Sequence, residues 1–89
     1  MDTNDIYRKN MEITLEKLDG KFYIAYDYSA YEVNEVGARI IDLCNGQNSV
    51  SDIADKLSKH FNVEYEKVLN DVISYITILT DKSFVNKCG

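Results

Sequence analysis

The chain has 89 residues, 45% of them hydrophobic, which is enough for one domain with one modest core and no stabilising metal. Its formal net charge of -5 argues against nucleic acid as a partner, because such affinity depends on clustered lysine and arginine. Two cysteines are too few for a disulfide framework, and no apolar run reaches the roughly 18–20 residues of a membrane span. Since the acidic N-terminus is unlike a signal peptide, we expect a cytoplasmic protein with reduced thiols.

The chain begins with a polar segment that has no periodicity, so we expect residues 1–10 to form a flexible lead-in. Residues 11–89 then make up the single domain. Apolar and polar residues alternate over residues 11–15, as in a half-buried strand, and Asp19-Gly20 is a strong hairpin turn signal. The sequence therefore predicts a first strand that runs into a tight hairpin.

Two more strands are predicted, over residues 22–26 and 31–33, with a turn at residues 27–29 between them. The last strand of such a meander lies at an edge, with unpaired N–H and C=O groups, and an extended peptide can add to it. Several tyrosines lie in this region. Tyrosine is common in strands and also at binding surfaces, so the cluster fits sheet packing as well as binding.

The next two segments have helical periodicity. An apolar stripe over residues 36–44 predicts a first helix, with Asn34 as its N-cap and a left-handed residue at Asn45-Gly46 as its end. Ser49, followed three residues later by Asp52, has the form of a capping box that opens a second helix. Both helices are therefore predicted with their start signals.

The third helix is predicted to be the longest, from about residue 64 through Leu79, with a buried stripe along one side. One flank of that stripe carries Lys67, Asp71, Ser74 and Ile78 at successive i+3 and i+4 steps. This mixture suits the wall of a peptide groove, and it also fits an ordinary helix margin. Phe84 and Val85 are expected to anchor the C-terminal segment in the core.

The sequence gives no support for catalysis or metal binding. His60 is the only histidine, and no Cys-x-x-Cys, His-x-x-x-His or Glu-x-x-His spacing occurs. Cys44 falls on the predicted buried stripe, where a thiol is inert. We therefore expect no catalytic residue, no metal site and no cofactor in this chain.

The order of three strands and three helices predicts an α+β fold like a winged helix-turn-helix. An ordered set of short sequence features runs through this region: Asn34, Gly37-Ala38-Arg39-Ile40, Leu43-Cys44-Asn45-Gly46, Ser49-Val50-Ser51-Asp52-Ile53-Ala54, Asp71-Val72, Tyr75-Ile76 and Leu79. With this ordered set, residues 31–85 resemble the PqqD-like family of recognition elements for ribosomally synthesised and post-translationally modified peptides. One departure is Ser83-Phe84, where the family often has Gly-Leu or Gly-Ile.

The resemblance implies a non-catalytic protein that captures the leader of a precursor peptide and presents it to a separate enzyme, such as a radical S-adenosylmethionine enzyme or a leader peptidase. In that family the leader adds as a strand beside the third strand and lies against the third helix. Carried over by position, the peptide-binding edge is Tyr31, Glu32 and Val33, and the wall is Lys67, Asp71, Ser74, Tyr75 and Ile78.

Two other classes of function are possible, and the first of them shares this element order. A winged-helix DNA-binding regulator would read the major groove with a helix, but Glu64, Glu66 and Asp71 against Lys67 give the start of the third helix a net charge of -2. A small homodimer would pair the edge strand or the third helix with its own copy. The sequence leaves the choice between monomer and homodimer open.

Overall fold

The computed structural model describes residues 1–88, which form two antiparallel sheets and three helices. The elements are β1 (Ile6–Lys9), β2 (Thr14–Leu18), β3 (Lys21–Tyr26), β4 (Ser29–Val33), α1 (Glu35–Leu43), β5 (Asn45–Ser49), α2 (Val50–Phe61), α3 (Tyr65–Asp81) and β6 (Val85–Lys87). The strand orders are β2-β3-β4, here called the meander sheet, and β5-β1-β6, here called the terminal sheet. The predicted α+β fold, with an antiparallel three-stranded meander followed by three helices, is confirmed.

The meander sheet is built from two tight hairpins. Asp19 and Gly20 have φ values of 53° and 78°, and Asp27 and Tyr28 have φ values of 52° and 63°. Two central residues with positive φ define a type I′ turn, whose twist matches that of the flanking strands. Both turns were expected from the sequence. The first strand of the meander begins at Thr14, later than the expected residue 11, and Met11 is 95% exposed.

The terminal sheet corrects the expectation of a flexible lead-in at residues 1–10. Strand β1 pairs with β5 on one side and β6 on the other, and Tyr7 is only 6% exposed. Further backbone bonds flank the strand, since Lys9 N–H donates to Cys44 O at 2.8 Å and Cys88 N–H donates to Ile6 O at 2.7 Å. A four-residue strand with one buried side chain has too little alternation to be recognised in the sequence.

The end of α1 also differs from the expectation. The helix ends at Leu43, and Cys44 caps it with a negative φ of -79°. Gly46 does have a left-handed φ of 81°, but it lies within β5, next to an irregular register between β5 and β1. The polar sequence of β5 is held in a strand by backbone pairing with β1, which no side-chain pattern announces.

The predicted helix starts are confirmed. Asn34 Oδ1 accepts a hydrogen bond from Gly37 N–H at 2.8 Å. Ser49 and Asp52 form the reciprocal capping box, with Asp52 N–H donating to Ser49 Oγ at 3.1 Å and Ser49 N–H donating to Asp52 Oδ2 at 2.9 Å. These bonds lower the pKa of the Asp52 carboxyl, since the backbone N–H of Ser49 and then its hydroxyl favour the carboxylate.

The core lies between the meander sheet and the helices. Its fully buried side chains are Ile24, Ile40, Ile41, Cys44, Val50, Ile53, Val72, Ile76 and Val85. Every helix contributes to this set, and burial of each aliphatic side chain is worth about 1.5–3 kcal/mol relative to exposure.

Burial raises the pKa of the Cys44 thiol to about 12, with a smaller contribution from Cys88. None of the helices formed by residues 1–88 is long and apolar enough to cross a bilayer.

A Schellman motif ends α3 and places Phe84 in the core. Ser83 N–H donates to Thr80 O at 3.0 Å, and Phe84 N–H donates to Leu79 O at 2.9 Å. Ser83 occupies the left-handed position with a φ of 64°, where glycine is the usual residue. The chain therefore makes the turn despite lacking the glycine that is frequent in the family. Asn10 secures it, because its Nδ2 donates to Ser83 O at 2.9 Å.

We expect Ser83→Gly to raise the free energy of unfolding by roughly 0.5–1 kcal/mol. Glycine relieves the steric cost of a left-handed residue, and its larger unfolded-state entropy removes part of that gain. Urea unfolding followed by circular dichroism measures the change. Ser74→Gly is the matched control: Ser74 is exposed inside α3, so this variant should lose stability. Destabilisation by both variants would contradict the assignment of strain to Ser83.

We expect the native protein to present one reactive thiol at pH 8. Cys88 is partly exposed, whereas Cys44 is buried with a pKa of about 12 and holds almost no thiolate at that pH. Titration with a chromogenic disulfide reagent should give one fast equivalent and a second only after denaturation. Cys88→Ser should abolish the fast phase, and a fast phase that survives would mean that Cys44 is accessible.

Candidate functional site

Strand β4 is an edge strand with an open side. It pairs only with β3 within residues 1–88. The two-residue turn between β3 and β4 makes Tyr26 and Ser29 the first hydrogen-bonded pair of this hairpin. Since bonded and non-bonded pairs alternate, the N–H and C=O groups of Ala30 and Glu32 point away from β3. No backbone partner for them occurs in the described part of the chain.

A groove of about 490 Å³ runs between this open edge and α3, and it is called the groove below. Its lining residues are Ile24, Ala30, Tyr31, Glu32, Val33, Asn34, Tyr75, Ile78, Leu79, Lys82 and Phe84. Most of these side chains are apolar. The groove therefore combines a row of free backbone groups with an apolar wall and floor, as a site for an extended peptide requires.

Phe84 forms the floor of the groove together with the inner face of the meander sheet. Its ring lies 5.3 Å from that of Tyr31 in a tilted arrangement and 5.8 Å from that of Tyr26 in an edge-to-face arrangement, between ring centroids. Such pairs add about 0.5–1.5 kcal/mol each beyond the burial of area. The Schellman motif of α3 thus holds the floor aromatic against β3 and β4.

Gly37 lets Tyr75 pack close to α1 at one end of the groove. A Cβ atom at this position would lie 3.0 Å from Cε1 of Tyr75, so only glycine lets the tyrosine ring pack this closely on the first turn of α1. Tyr75 and Asn34 line the groove at this end, whereas Lys82 lies at the other end, beside Tyr31. Helix α3 therefore runs antiparallel to β4 along the groove.

The groove contains only part of the predicted binding set. Tyr31, Glu32 and Val33 of β4 and Tyr75 and Ile78 of α3 all line it, and Ile78 is 52% exposed.

The other three predicted residues do not line the groove. Lys67, Asp71 and Ser74 are exposed and lie nearer the start of α3. Asp71 instead borders a separate apolar cleft with Val36 and Phe61. The i+3 and i+4 steps follow one flank of α3, but only residues from Tyr75 onward on this helix line the groove.

Several groove residues were missing from the sequence-based set. Lys82 follows Ile78 by four residues, so helical spacing could have identified it as a neighbour on the same face. Phe84 was recognised as a core anchor, which it is, at 3% exposure, but its second role as the groove floor depends on the turn at Ser83. Ala30 contributes backbone groups, for which the sequence carries no side-chain signal.

The titratable side chains that line the groove are those of Tyr31, Glu32, Tyr75 and Lys82, and no histidine or cysteine is among them. His60 lies on α2 and packs edge-to-face against Phe61, with ring centroids 4.8 Å apart, and Cys44 is buried in the core. Neither residue lines the groove. In the described part of the chain, histidine, cysteine and carboxylate side chains form no cluster of three or more that could hold a metal ion.

The family model for coenzyme PQQ synthesis protein D (PqqD) matches residues 23–85, which run from within β3 through β4, α1, β5, α2 and α3. The PqqA binding protein of Bradyrhizobium diazoefficiens is 35% identical over 54 residues, which are 61% of this chain and 52% of that protein. The PqqA binding protein of Methylococcus capsulatus is 34% identical over 47 residues, 53% of this chain and 50% of that protein. The chain spans about half the length of these curated relatives.

Solved structures share the fold at low sequence identity. The PqqD truncation of Methylobacterium extorquens PqqCD, described as a functional and stand-alone RiPP recognition element, has a TM-score of 0.83 at 17% identity and covers 96% of this chain and 93% of that one. Lasso peptide synthetase B1 complexed with the leader peptide has a TM-score of 0.75 at 20% identity, covering 90% and 96% respectively. The family match includes both sides of the groove and confirms the resemblance found in the sequence. This chain belongs to the coenzyme PQQ synthesis protein D (PqqD) family.

Proposed function

We propose that this chain is a non-catalytic protein that binds the leader segment of a ribosomally made precursor peptide in the groove between β4 and α3. The observation that carries the proposal is the open edge of β4 beside an apolar groove of about 490 Å³. A guest chain in extended conformation pairs with the edge and places alternate side chains in the groove. The protein holds the peptide, and the chemistry of maturation belongs to another protein.

Backbone pairing supplies affinity that depends little on the guest sequence. The outward N–H and C=O groups of Ala30 and Glu32 offer two donors and two acceptors to an added strand. Each bond contributes about 0.5–1.5 kcal/mol net, and the desolvation of both partners limits the total. Such pairing alone gives weak binding, so selectivity must come from the side chains in the groove.

The register of β4 determines which guest side chains enter. Tyr31 and Val33 are paired with Ile24 and Phe22, so their side chains lie on the inner face of the meander sheet, towards α3. Guest side chains on that same face contact Ile78 and Phe84, while the intervening ones face solvent. A leader with apolar residues at every second position therefore fits the groove best.

The comparisons support this proposal through the names of similar proteins. The matched relatives are PqqA binding proteins, and two solved structures with the same fold are complexes with leader peptides. A leader-binding protein acts beside a separate maturation enzyme, for which we propose a radical S-adenosylmethionine enzyme or a leader peptidase. DNA binding is disfavoured, because Glu64, Glu66 and Asp71 are exposed at the start of α3.

Titration of the ¹⁵N-labelled protein with a synthetic PqqA leader peptide, the type of partner named for the matched relatives, tests the site. We expect amide shifts at residues 30–34 and 75–84, because the added strand contacts the β4 edge and the groove contacts the end of α3. Shifts confined to α2 would contradict the proposal. Sedimentation at micromolar concentration without peptide shows whether a second copy of the chain already occupies the edge.

We expect Ile78→Asp to weaken leader binding about tenfold or more, or roughly 1.4 kcal/mol, because a carboxylate would lie in an apolar wall. Ile78 is half exposed, so the substitution empties no core and the fold should persist. Isothermal titration calorimetry measures the affinity, and thermal unfolding checks the fold.

Leu18→Asp is the matched control for this prediction. Leu18 is 65% exposed and lies on β2, on the outer face of the meander sheet and away from the groove. It should therefore keep the wild-type affinity. Equal loss in both variants, or none in Ile78→Asp, would remove Ile78 from the binding surface.

A further inference from the structure

We infer that the groove selects leader segments with a carboxylate two residues beyond an alternating apolar pair, where it meets the ammonium group of Lys82. This inference rests on the proposed function and adds the charge and spacing of the segment that binds. The guest pattern is apolar–x–apolar–x–acidic, with the acidic residue at the Tyr31 end of the groove. A guest that binds in the opposite chain direction carries the same pattern in reverse order, with the same spacing.

Lys82 is fixed in position by the end of α3. It is the C-cap of the helix, and its N–H donates to Ile78 O at 3.1 Å. The Schellman turn follows directly, so the backbone at Lys82 is constrained on both sides. Its Nζ lies over the ring of Tyr31, 5.8 Å from the centroid. The cation therefore lies at one mouth of the groove, above the edge strand.

The ammonium group of Lys82 has no carboxylate partner within residues 1–88. The ion pairs there join Arg39 to Glu35, Lys59 to Asp55 and Lys87 to Asp5. Lys82 is the only cationic residue in the groove lining, and Glu32 is the only anionic one. Glu32 is paired with Tyr23, whereas the neighbouring pair of Ile24 and Tyr31 faces inward. Since successive side chains of a strand alternate between faces, the Glu32 side chain belongs to the outer face of the sheet.

The spacing follows from strand geometry. Guest side chains opposite Val33 and Tyr31 enter the apolar part of the groove, and they are two residues apart. The next guest side chain on that face lies two residues further, about 6–7 Å along the strand, towards Ser29. Lys82 lies over Tyr31 at this end, and an apolar guest side chain opposite Tyr31 packs into the groove, so we expect a carboxylate at the third position to meet its ammonium group.

The groove is asymmetric in charge, which gives the guest a preferred placement. The end opposite Lys82 is lined by Tyr75 and Asn34, which are uncharged. A guest carboxylate gains an ion pair at the Lys82 end and none at the Tyr75 end. The charge therefore fixes the register of a segment whose apolar residues alone could shift by two positions along the edge.

Display selection with the full chain tests the inference without a known leader. The probe is a displayed library of random twelve-residue peptides, selected in parallel against the wild type, Lys82→Glu and Lys67→Glu. Lys67 is the matched control, because it is an exposed lysine on the same helix outside the groove and the change in net charge is the same. We expect the wild type and Lys67→Glu to enrich the acidic pattern, and Lys82→Glu to enrich lysine or arginine at the same position.

Affinities of one enriched peptide give the magnitude. Changing its acidic residue to glutamine should weaken binding to the wild type about two- to fivefold, as expected for an exposed ion pair. The same change should leave binding to Lys82→Glu equal or tighter, and a lysine at that position should restore affinity for Lys82→Glu. The difference should shrink as the salt concentration rises.

The outcomes separate this inference from the proposed function. Enrichment of apolar pairs with no charge preference, or with the same preference in Lys82→Glu, would overturn the role of Lys82 and leave the groove as a peptide site. If no enriched peptide loses affinity for the Ile78→Asp variant, both the role of Lys82 and the groove as a peptide site would be overturned.

Discussion

The packing of Phe84 between the end of α3 and the meander sheet is the contact on which the groove depends. The Schellman turn directs this ring beneath β4, where Tyr26 and Tyr31 pack against it. The turn also ends α3 with Lys82 beside Tyr31, so the last turns of the helix stand next to the open strand. The floor, wall and charged mouth of the groove therefore share one local conformation at residues 82–84.

An open strand edge is a risk as well as a site, because identical edges can pair between molecules and start aggregation. Here the edge is short: β4 has five residues, and α1 begins directly after Asn34. Glu32 places a carboxylate on the outer face of that strand, so two copies that paired in antiparallel fashion around this residue would bring like charges together. In the proposed peptide complex, the same short length limits how much affinity backbone pairing can give, so selection would depend on the side chains in the groove.

Much of the fold was accessible from the sequence, because its signals were local. The I′ turn at Asp19-Gly20, the Asn34 cap and the box of Ser49 and Asp52 each satisfy backbone groups within a few residues. Strands β1 and β5 were not accessible, since both are held by pairing between distant segments and bury little apolar surface. The site followed the same division. Five of the residues predicted for the site line the groove, whereas the position of Phe84 in its floor depends on the left-handed conformation of Ser83, which no glycine announces in the sequence.

The link between Asn10 and the turn has a practical consequence. Asn10 binds both ends of that turn, through Nδ2–H to Ser83 O and through its backbone N–H to Phe84 O, each at 2.9 Å, yet it does not line the groove. The N-terminal segment thus supports the turn that holds Phe84 in the groove floor, although the two are far apart in the sequence. Trimming this segment to simplify a crystallisation or labelling experiment would loosen the aromatic floor and Lys82 together, and a loss of affinity in such a shortened protein would not identify a contact with the peptide.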